Sequence, residues 1–214
     1  MKVVLAGYRT WALHAFETLK IKYPQIEFII VKNHDELLMF NDCIILCAGW
    51  SWIFKKNFIE KNKVTCLMHP SDLPDYAGGS PIQNQVLDGV ESTYATLFKA
   101  DANIDSGPIF EKTCISLQGN ISDIFVELER ATVELFSNFI DCYPDVNYRQ
   151  QNVKKIYKRI TPNQSKVTKH TFTNMSAKQM YDFIRCRKNP YPNVYLEDET
   201  GRIYFEKVRF EKNE

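Results

Sequence analysis

The chain has 214 residues, of which 44% are hydrophobic and 25% charged. That suits one full domain, or one domain with a small appendage, and supplies enough apolar material for a core, so intrinsic disorder is excluded as the main state. Lys and Arg number 27 against 26 Asp and Glu, for a net charge of +1; the bulk basic excess of a nucleic-acid binder is missing, although a balanced total is compatible with a local basic patch.

No apolar run reaches the ~18–20 residues that a membrane span needs. The segment Met1–Gly7 is apolar too briefly for an export signal and reads as a first strand, Val3-Val4-Leu5-Ala6, closed by Gly7. Helical spacing follows from Thr10 to Lys22, with Trp11, His14, Ala15, Thr18 and Leu19 in phase. Ile26–Val31 is a second strand, Glu36–Phe40 a short helix, Cys43–Ala48 a third strand ending at Gly49, Phe54–Lys61 a helix and Val64–Met68 a fourth strand. Apolar strands alternating with helices predict an α/β fold, a Rossmann-like, mostly parallel sheet with helices on both faces. Ligands of such sheets bind beyond the carboxyl ends of the strands, which draws attention to Gly7, Gly49 and His69.

His69–Pro81 holds three prolines and two glycines and is read as a loop. A short helix runs from Pro81 to Leu87, stopped by Gly89, and strands are expected at Tyr94–Ala100 and Ile109–Leu117. Residues 121–140 form an amphipathic helix, with Ile121, Ile124, Phe125, Leu128, Leu135, Phe136 and Phe139 on one face and Pro144 ending it. The composition then shifts. Residues 146–170 are polar and basic, Ser176-Ala177-Lys178-Gln179 is a capping box opening a helix to about Arg187, and Val194–Leu196 with Ile203–Phe210 reads as a hairpin around an acidic turn at Glu197–Gly201. This divides the chain into a catalytic domain over 1–145 and a small C-terminal α+β appendage over 146–214, too small for its own core and expected to pack on the first.

The six cysteines are scattered: Cys43, Cys47, Cys66, Cys114, Cys142 and Cys186 form no Cys-x-x-Cys pair and no zinc-type spacing with histidine. No metal is expected, and without an export signal the thiols are read as reduced and the protein as cytoplasmic. Among the four histidines, His14, His34 and His170 read as structural or solvated. His69 directly follows a buried strand, where an α/β domain presents catalytic groups. Asp105, in the loop Asp101-Ala102-Asn103-Ile104-Asp105-Ser106-Gly107-Pro108, is a second candidate, although Asp-Ser-Gly-Pro alone is a turn signal.

Two segments together carry a resemblance. His69-Pro70-Ser71-Asp72-Leu73-Pro74, continuing through Tyr76, Gly78, Gly79, Ser80 and Pro81, and then Ile104-Asp105-Ser106-Gly107-Pro108, 36 residues on from the histidine, are similar to the paired motifs of the folate-dependent formyltransferases. The resemblance runs from Met1 to about residue 142 and continues weakly through Thr161–Ser165 and Ile184–Pro192. Gly7-Tyr8-Arg9-Thr10-Trp11, Gly49-Trp50-Ser51-Trp52-Ile53 and Gly78-Gly79-Ser80-Pro81-Ile82-Gln83-Asn84 look most like the sugar-nucleotide N-formyltransferases. The resemblance implies the formyltransferase fold and transfer of a formyl group from 10-formyltetrahydrofolate to the free amine of a nucleotide-linked deoxyaminosugar, a surface-glycan precursor, with no metal, no membrane and no nucleic acid as partner. Such enzymes are often homodimers; no residue here identifies an interface.

By the same resemblance, His69 is the acid/base and Asp105 its partner in proton transfer. Trp50, Ser51, Trp52 and Ile53, with Asp101, Ala102, Asn103 and Ile104, would hold the folate. Arg9, Tyr76, Gly78, Gly79 and Gln83 would face the amine substrate. The chemistry suits these residue types: an imidazole takes the amine proton near neutrality, and a carboxylate orients it. One position departs. The family's asparagine two residues before the histidine, which donates to the oxyanion, is Leu67 here. Losing such a donor costs about 10²–10³ in rate, so Asn84 is nominated as its replacement, with Gln83, a backbone N–H or protonated His69 as other options. Glycinamide ribonucleotide and methionyl-tRNA are alternative acceptors, and a catalytically weak homologue that binds folate or nucleotide-sugar is a third reading.

Overall fold

In the computed structural model, which describes residues 1–213, the strands and helices follow one another as β1 (Lys2–Ala6), α1 (Thr10–Lys22), β2 (Glu27–Val31), α2 (His34–Leu37), β3 (Ile44–Cys47), α3 (Lys56–Glu60), β4 (Val64–His69), β5 (Ala77–Gly78), α4 (Pro81–Leu87), β6 (Ser92–Lys99), β7 (Ile109–Ser116) and α5 (Ile121–Cys142). The tail adds β8 (Ile156–Tyr157), a 3-10 turn (Pro162–Ser165), β9 (Lys166–Val167), α6 (Lys169–Asn174), α7 (Ala177–Arg185), β10 (Tyr195–Asp198) and β11 (Gly201–Tyr204). None of the described helices is long and apolar enough to cross a membrane.

The main sheet has the order β2-β1-β3-β4-β6-β7. β1 to β4 are parallel to their neighbours, whereas β6 runs antiparallel to both β4 and β7. The fold is therefore the α/β arrangement with a mostly parallel sheet that the alternation of strands and helices predicted. Period-2 alternation sorts the strand residues between two cores. Val3 and Leu5 of β1 join Ile44 and Leu46 of β3 in the core under α1 and α5. Val4, Ala6, Ile45 and Cys47 face the opposite side and pack with Leu37, Phe54 and Phe58. Burial on both faces explains why these strands are continuous apolar runs rather than alternating ones.

α5 covers the first core with the stripe seen in its sequence, including Ile121, Ile124, Leu128, Leu135, Phe136 and Phe139. At its start Asp123 Oδ2 accepts from the Asn120 N–H at 2.7 Å. Phe136 stacks on Phe16 of α1 with ring centroids 6.3 Å apart. 

The tail differs more from the sequence reading. The Ser176 capping box forms as expected, with Ser176 Oγ accepting from Gln179 N–H at 3.2 Å and Gln179 Oε1 from Ser176 N–H at 2.9 Å. The second hairpin strand, however, begins at Gly201 and ends at Tyr204 instead of running to Phe210. Asp198 Oδ1 accepts from the Thr200 N–H at 2.8 Å, which makes the turn tight and starts the return strand early. The polar stretch 146–170 is not featureless: it contains β8, the 3-10 turn, β9 and the start of α6. β8 pairs in parallel with β5, so a two-residue piece of tail adds itself to the Pro/Gly loop after β4.

Candidate active site

β4 ends at His69, whose backbone is registered against Thr96 of β6. Its ring is almost buried. Nε2 lies 3.0 Å from the Tyr76 carbonyl oxygen, which only accepts, so Nε2 carries the proton. In the neutral ring Nδ1 is then the basic nitrogen, and it sits 3.4 Å from Asp105 Oδ2. An imidazolium at this position would set its Nδ1–H against the Asp105 carboxylate and its Nε2–H on the Tyr76 carbonyl.

Asp105 is brought there by the excursion between β6 and β7, whose ends are pinned by Lys99 N–H donating to Pro108 O at 2.9 Å. Inside it, the Asp101 carboxylate accepts from the Asn103 N–H at 2.9 Å and from the Ser106 hydroxyl at 2.9 Å, so Asp101 shapes the loop. Asp105 itself has φ 49°, a left-handed conformation that costs a non-glycine residue on the order of 1 kcal/mol. Three contacts hold it in place: Gly78 N–H donates to Oδ2 at 2.8 Å, and the Gln151 side-chain amide donates to the Asp105 carbonyl at 3.1 Å and to the Gly107 carbonyl at 2.6 Å. Tyr76 (φ 56°) and Ser80 (φ 51°) share the left-handed backbone, so three such residues surround His69.

Two cavities meet at His69. The first, about 370 Å³, is lined by Trp50, Ser51, Trp52 and Ile53 on one side and by Asp101, Asn103, Ile104 and Asp105 on another. The second, about 280 Å³, is lined by Arg9, Gly49, Pro81, Gln83, Arg159 and Tyr191 among others. His69, Gly78, Trp50, Ser51 and Arg159 belong to both. The Trp50 indole N–H is buried without an acceptor among the described residues, and a buried unpaired donor at a cavity wall is a handle for a polar ligand edge.

A family model described as formyl transferase matches residues 27–133, half of the chain. The chain belongs to this family. The methionyl-tRNA formyltransferase of Lactobacillus gasseri is 30% identical over 168 residues, which are 75% of this chain and 52% of that protein. The chain thus spans about half the length of that relative. Among solved structures, a methionyl-tRNA formyltransferase from Clostridium thermocellum superposes with a TM-score of 0.87 at 25% identity, covering 99% of this chain and 94% of that one. An N-formyltransferase from Helicobacter canadensis, solved with folinic acid and dTDP-3-aminofucose, superposes with a TM-score of 0.67 at 19% identity over 86% of this chain and 80% of that one.

Against this family background, most of the residues singled out by sequence fall around the two cavities. Of the eight folate candidates, seven line the first cavity and Ala102 does not. Leu67, at the position of the family asparagine, lines that same cavity, so the wall there is apolar. Asn84, nominated for the missing amide, lines neither cavity, and its Nδ2 donates to the Gly79 carbonyl at 2.9 Å. A left-handed Ser80 turns the chain so that the first turn of α4 bonds back onto the loop. Gln83 lines the second cavity while its amide donates to the Cys186 carbonyl at 3.3 Å.

Tyr76 also lies elsewhere than expected. Its ring stacks on Tyr157 of β8, centroids 4.9 Å apart, its hydroxyl donates to Asp88 at 2.9 Å, and it lines neither cavity. Burial and the Asp88 carboxylate push the phenol up to about 12, so it stays protonated near neutrality. Gly78 and Gly79 line the first cavity, but what forbids a side chain there is the tail. A Cβ on Gly78 (φ 100°) would lie 2.5 Å from the Tyr157 carbonyl oxygen, and one on Gly79 2.4 Å from the Arg159 nitrogen.

Sequence reasoning missed Gln151, Tyr157 and Arg159 as members of this site. The visible signal was the shift to basic composition after Asp145, which carries no periodicity and so gave no register. A two-residue strand added to a loop leaves no pattern to read.

Proposed function

We propose that the chain transfers a formyl group from 10-formyltetrahydrofolate, held in the first cavity, to a primary amine entering through the second, and that the acceptor is a nucleotide-linked aminosugar. The observation that carries this reading is that two separate cavities share a wall at His69, whose Asp105 partner lies on the side of the first. A donor and an acceptor approached from opposite sides can react only there. Aromatic walls at Trp50 and Trp52 suit a flat pterin, and the unpaired Trp50 N–H suits its polar edge.

In the reaction, the neutral amine attacks the formyl carbon and a tetrahedral intermediate forms. His69 accepts the amine proton at Nδ1, and Asp105 stabilises the resulting imidazolium. Collapse breaks the bond between the formyl carbon and folate N10, and the departing nitrogen regains a proton. The new C–N bond belongs to the acceptor. Holding donor and acceptor in adjoining cavities removes the entropy of a bimolecular encounter.

A second acceptor, methionyl-tRNA, is favoured by the names of similar proteins at 30% and 25% identity. The deciding experiment is a transfer assay read by mass spectrometry, with 10-formyltetrahydrofolate and a panel of dTDP- and UDP-aminosugars, glycinamide ribonucleotide and methionyl-tRNA. A formylated aminosugar is the expected product. Formylation of methionyl-tRNA alone would replace the acceptor and keep the chemistry. Loss of formyl transfer to every acceptor, with no folate bound, would remove the reading.

A further inference from the structure

Leu67 stands where the family carries an oxyanion-donating asparagine, and it presents only apolar surface to the first cavity. The charge that forms on the formyl oxygen therefore needs a donor from elsewhere in the chain. That donor has to reach the junction of the two cavities, and five residues line both: Trp50, Ser51, His69, Gly78 and Arg159. Of the nearby side-chain amides, Asn103 lines the first cavity alone and Gln83 the second alone.

Four of the five are committed or unaimed. The His69 ring nitrogens face the Tyr76 carbonyl at 3.0 Å and Asp105 Oδ2 at 3.4 Å. The Gly78 N–H already donates to Asp105 Oδ2 at 2.8 Å. Arg159 is exposed, and nothing among the described residues aims its guanidinium. The Trp50 N–H is buried within a cluster of rings, with the indole 4.8 Å from Trp52 and 6.2 Å from Phe54, where it suits the pterin edge. The Ser51 hydroxyl remains.

Its placement follows from the sheet. β3 runs parallel to β4 with Cys47 opposite Leu67. The chain leaves β3 through Gly49 (φ 61°), so Ser51 lies beyond the strand end, next to the end of β4 that carries His69. Ser51 is exposed, and its Oγ sits 2.5 Å from the hydroxyl of Tyr8, the residue that follows Gly7 after β1. The Tyr8 ring is held edge-on to Trp52, centroids 5.1 Å apart, with the Arg9 guanidinium carbon 5.0 Å from its own centroid. Tyr8 lines neither cavity. A phenol donates more readily than an alkyl hydroxyl, so Tyr8 gives its proton to the pair and Ser51 keeps its own O–H free to donate. Successive hydrogen bonds polarise one another, which makes Ser51 the stronger donor for it.

We infer that the Ser51 hydroxyl donates to the formyl oxygen in place of the asparagine, and that Tyr8 is its positioning residue. This rests on the reading that the formyl donor lies in the first cavity and meets its acceptor at the junction. As the amine nitrogen bonds to the formyl carbon, the C=O π pair moves onto oxygen. That oxygen accepts from Ser51, whose proton stays on Oγ. When the C–N10 bond breaks, the C=O bond re-forms and the contact relaxes.

Two measurements on the full chain test this. The first is isotope-edited infrared spectroscopy of 10-formyltetrahydrofolate, carbon-13 labelled at the formyl group and bound without acceptor. The formyl stretch should lie at lower frequency in the parent than in Ser51→Ala, with Tyr8→Phe between them. The second is transfer kinetics with the acceptor that the mass-spectrometric assay identifies. Ser51→Ala should lower kcat by about 10², with the affinity for 5-formyltetrahydrofolate and the melting curve unchanged. Tyr8→Phe should cost about 10-fold, and should add nothing once Ser51 is alanine. Three results would overturn the inference: Ser51→Ala turning over like the parent, a formyl stretch indifferent to Ser51, or weaker folate binding with kcat kept, which would make Ser51 an ordinary folate contact. A parent that shows the Ser51-dependent stretch yet formylates no acceptor would remove the transfer reading and leave this contact standing. A parent that binds no folate would remove both.

Discussion

Residues 1–145 carry 12 Lys and Arg against 19 Asp and Glu, whereas residues 146–214 carry 15 against 7. The two regions also cohere differently. The first is built on two extended apolar cores, with Val3, Leu5, Phe16, Leu46 and Phe136 fully buried. The tail has a four-residue cluster of its own, Val167, Phe183, Ile184 and Val194, sends Cys186, Tyr148 and Tyr191 into the main core, and is fixed further by polar contacts. Arg185 donates to the Leu117 and Gly119 carbonyls at 2.6 and 2.9 Å, Gln151 to those of Asp105 and Gly107, and the Ile160 N–H to Ser80 Oγ. The sheet supplies the position of His69; the tail supplies the setting of Asp105 and one wall of each cavity. A hydrophobic core places elements, and directional bonds then place individual atoms.

The comparison can be broken first at the site. His69→Asn and Asp105→Asn should each lower kcat by about 10²–10⁴ while leaving the melting curve in place. Normal turnover in either variant would take that residue out of the proton path. Stability should respond in the opposite sense. Phe136→Ala removes a fully buried ring stacked on Phe16 and should cost about 3–5 kcal/mol in denaturant unfolding, without lowering the activity of the molecules that remain folded.

Gln151→Ala tests the seam. It leaves two loop carbonyls without their donor and should cost about 1–3 kcal/mol. Because those carbonyls flank the acid, kcat should fall as well, by about 10-fold to 100-fold. A loss of stability with kcat unchanged would confine the tail to a structural role. The smallest effect is the alkaline limb of stability. Burial holds the Cys47 thiol well above its usual range, Cys66 at about 12 and Cys186 at about 11. The unfolded thiols ionise near pH 8.5, so above that pH the unfolded state binds fewer protons than the folded one and stability declines progressively as pH rises toward the folded values. Urea midpoints between pH 8 and 10 should show this decline. Cys114 and Cys142, which are exposed, should react with a thiol reagent in the native state, while Cys43, Cys47, Cys66 and Cys186 should react only on unfolding.

Much of the first region was legible. α1 and α4 occur at the residues their periodicity and Pro81 indicated, and β1, β3 and β4 lie within or one residue beyond their apolar runs. The antiparallel turn of the sheet at β6 was not legible, because a strand's own residues do not encode its direction. The site was legible in its principal pair through two motifs rather than through pattern. Its neighbours were less so. Asn84 and Tyr76 have side chains suited to a substrate, yet each is committed to a partner that spacing does not reveal: the Gly79 carbonyl for one, Tyr157 and Asp88 for the other.

By itself the sequence determined the alternation of buried strands and amphipathic helices, the place where β4 stops and the identity of the histidine and aspartate that follow, because hydrophobic period and turn chemistry are local properties. Only the tertiary structure decided that Asp105 reaches His69, that Gly78 and Gly79 are bare because β8 and Arg159 lie against them, and that Arg9 and Arg159 share a cavity without a carboxylate. Those are contacts between segments up to 150 residues apart in the chain, set by how the tail packs across a finished sheet, and no local pattern carries them.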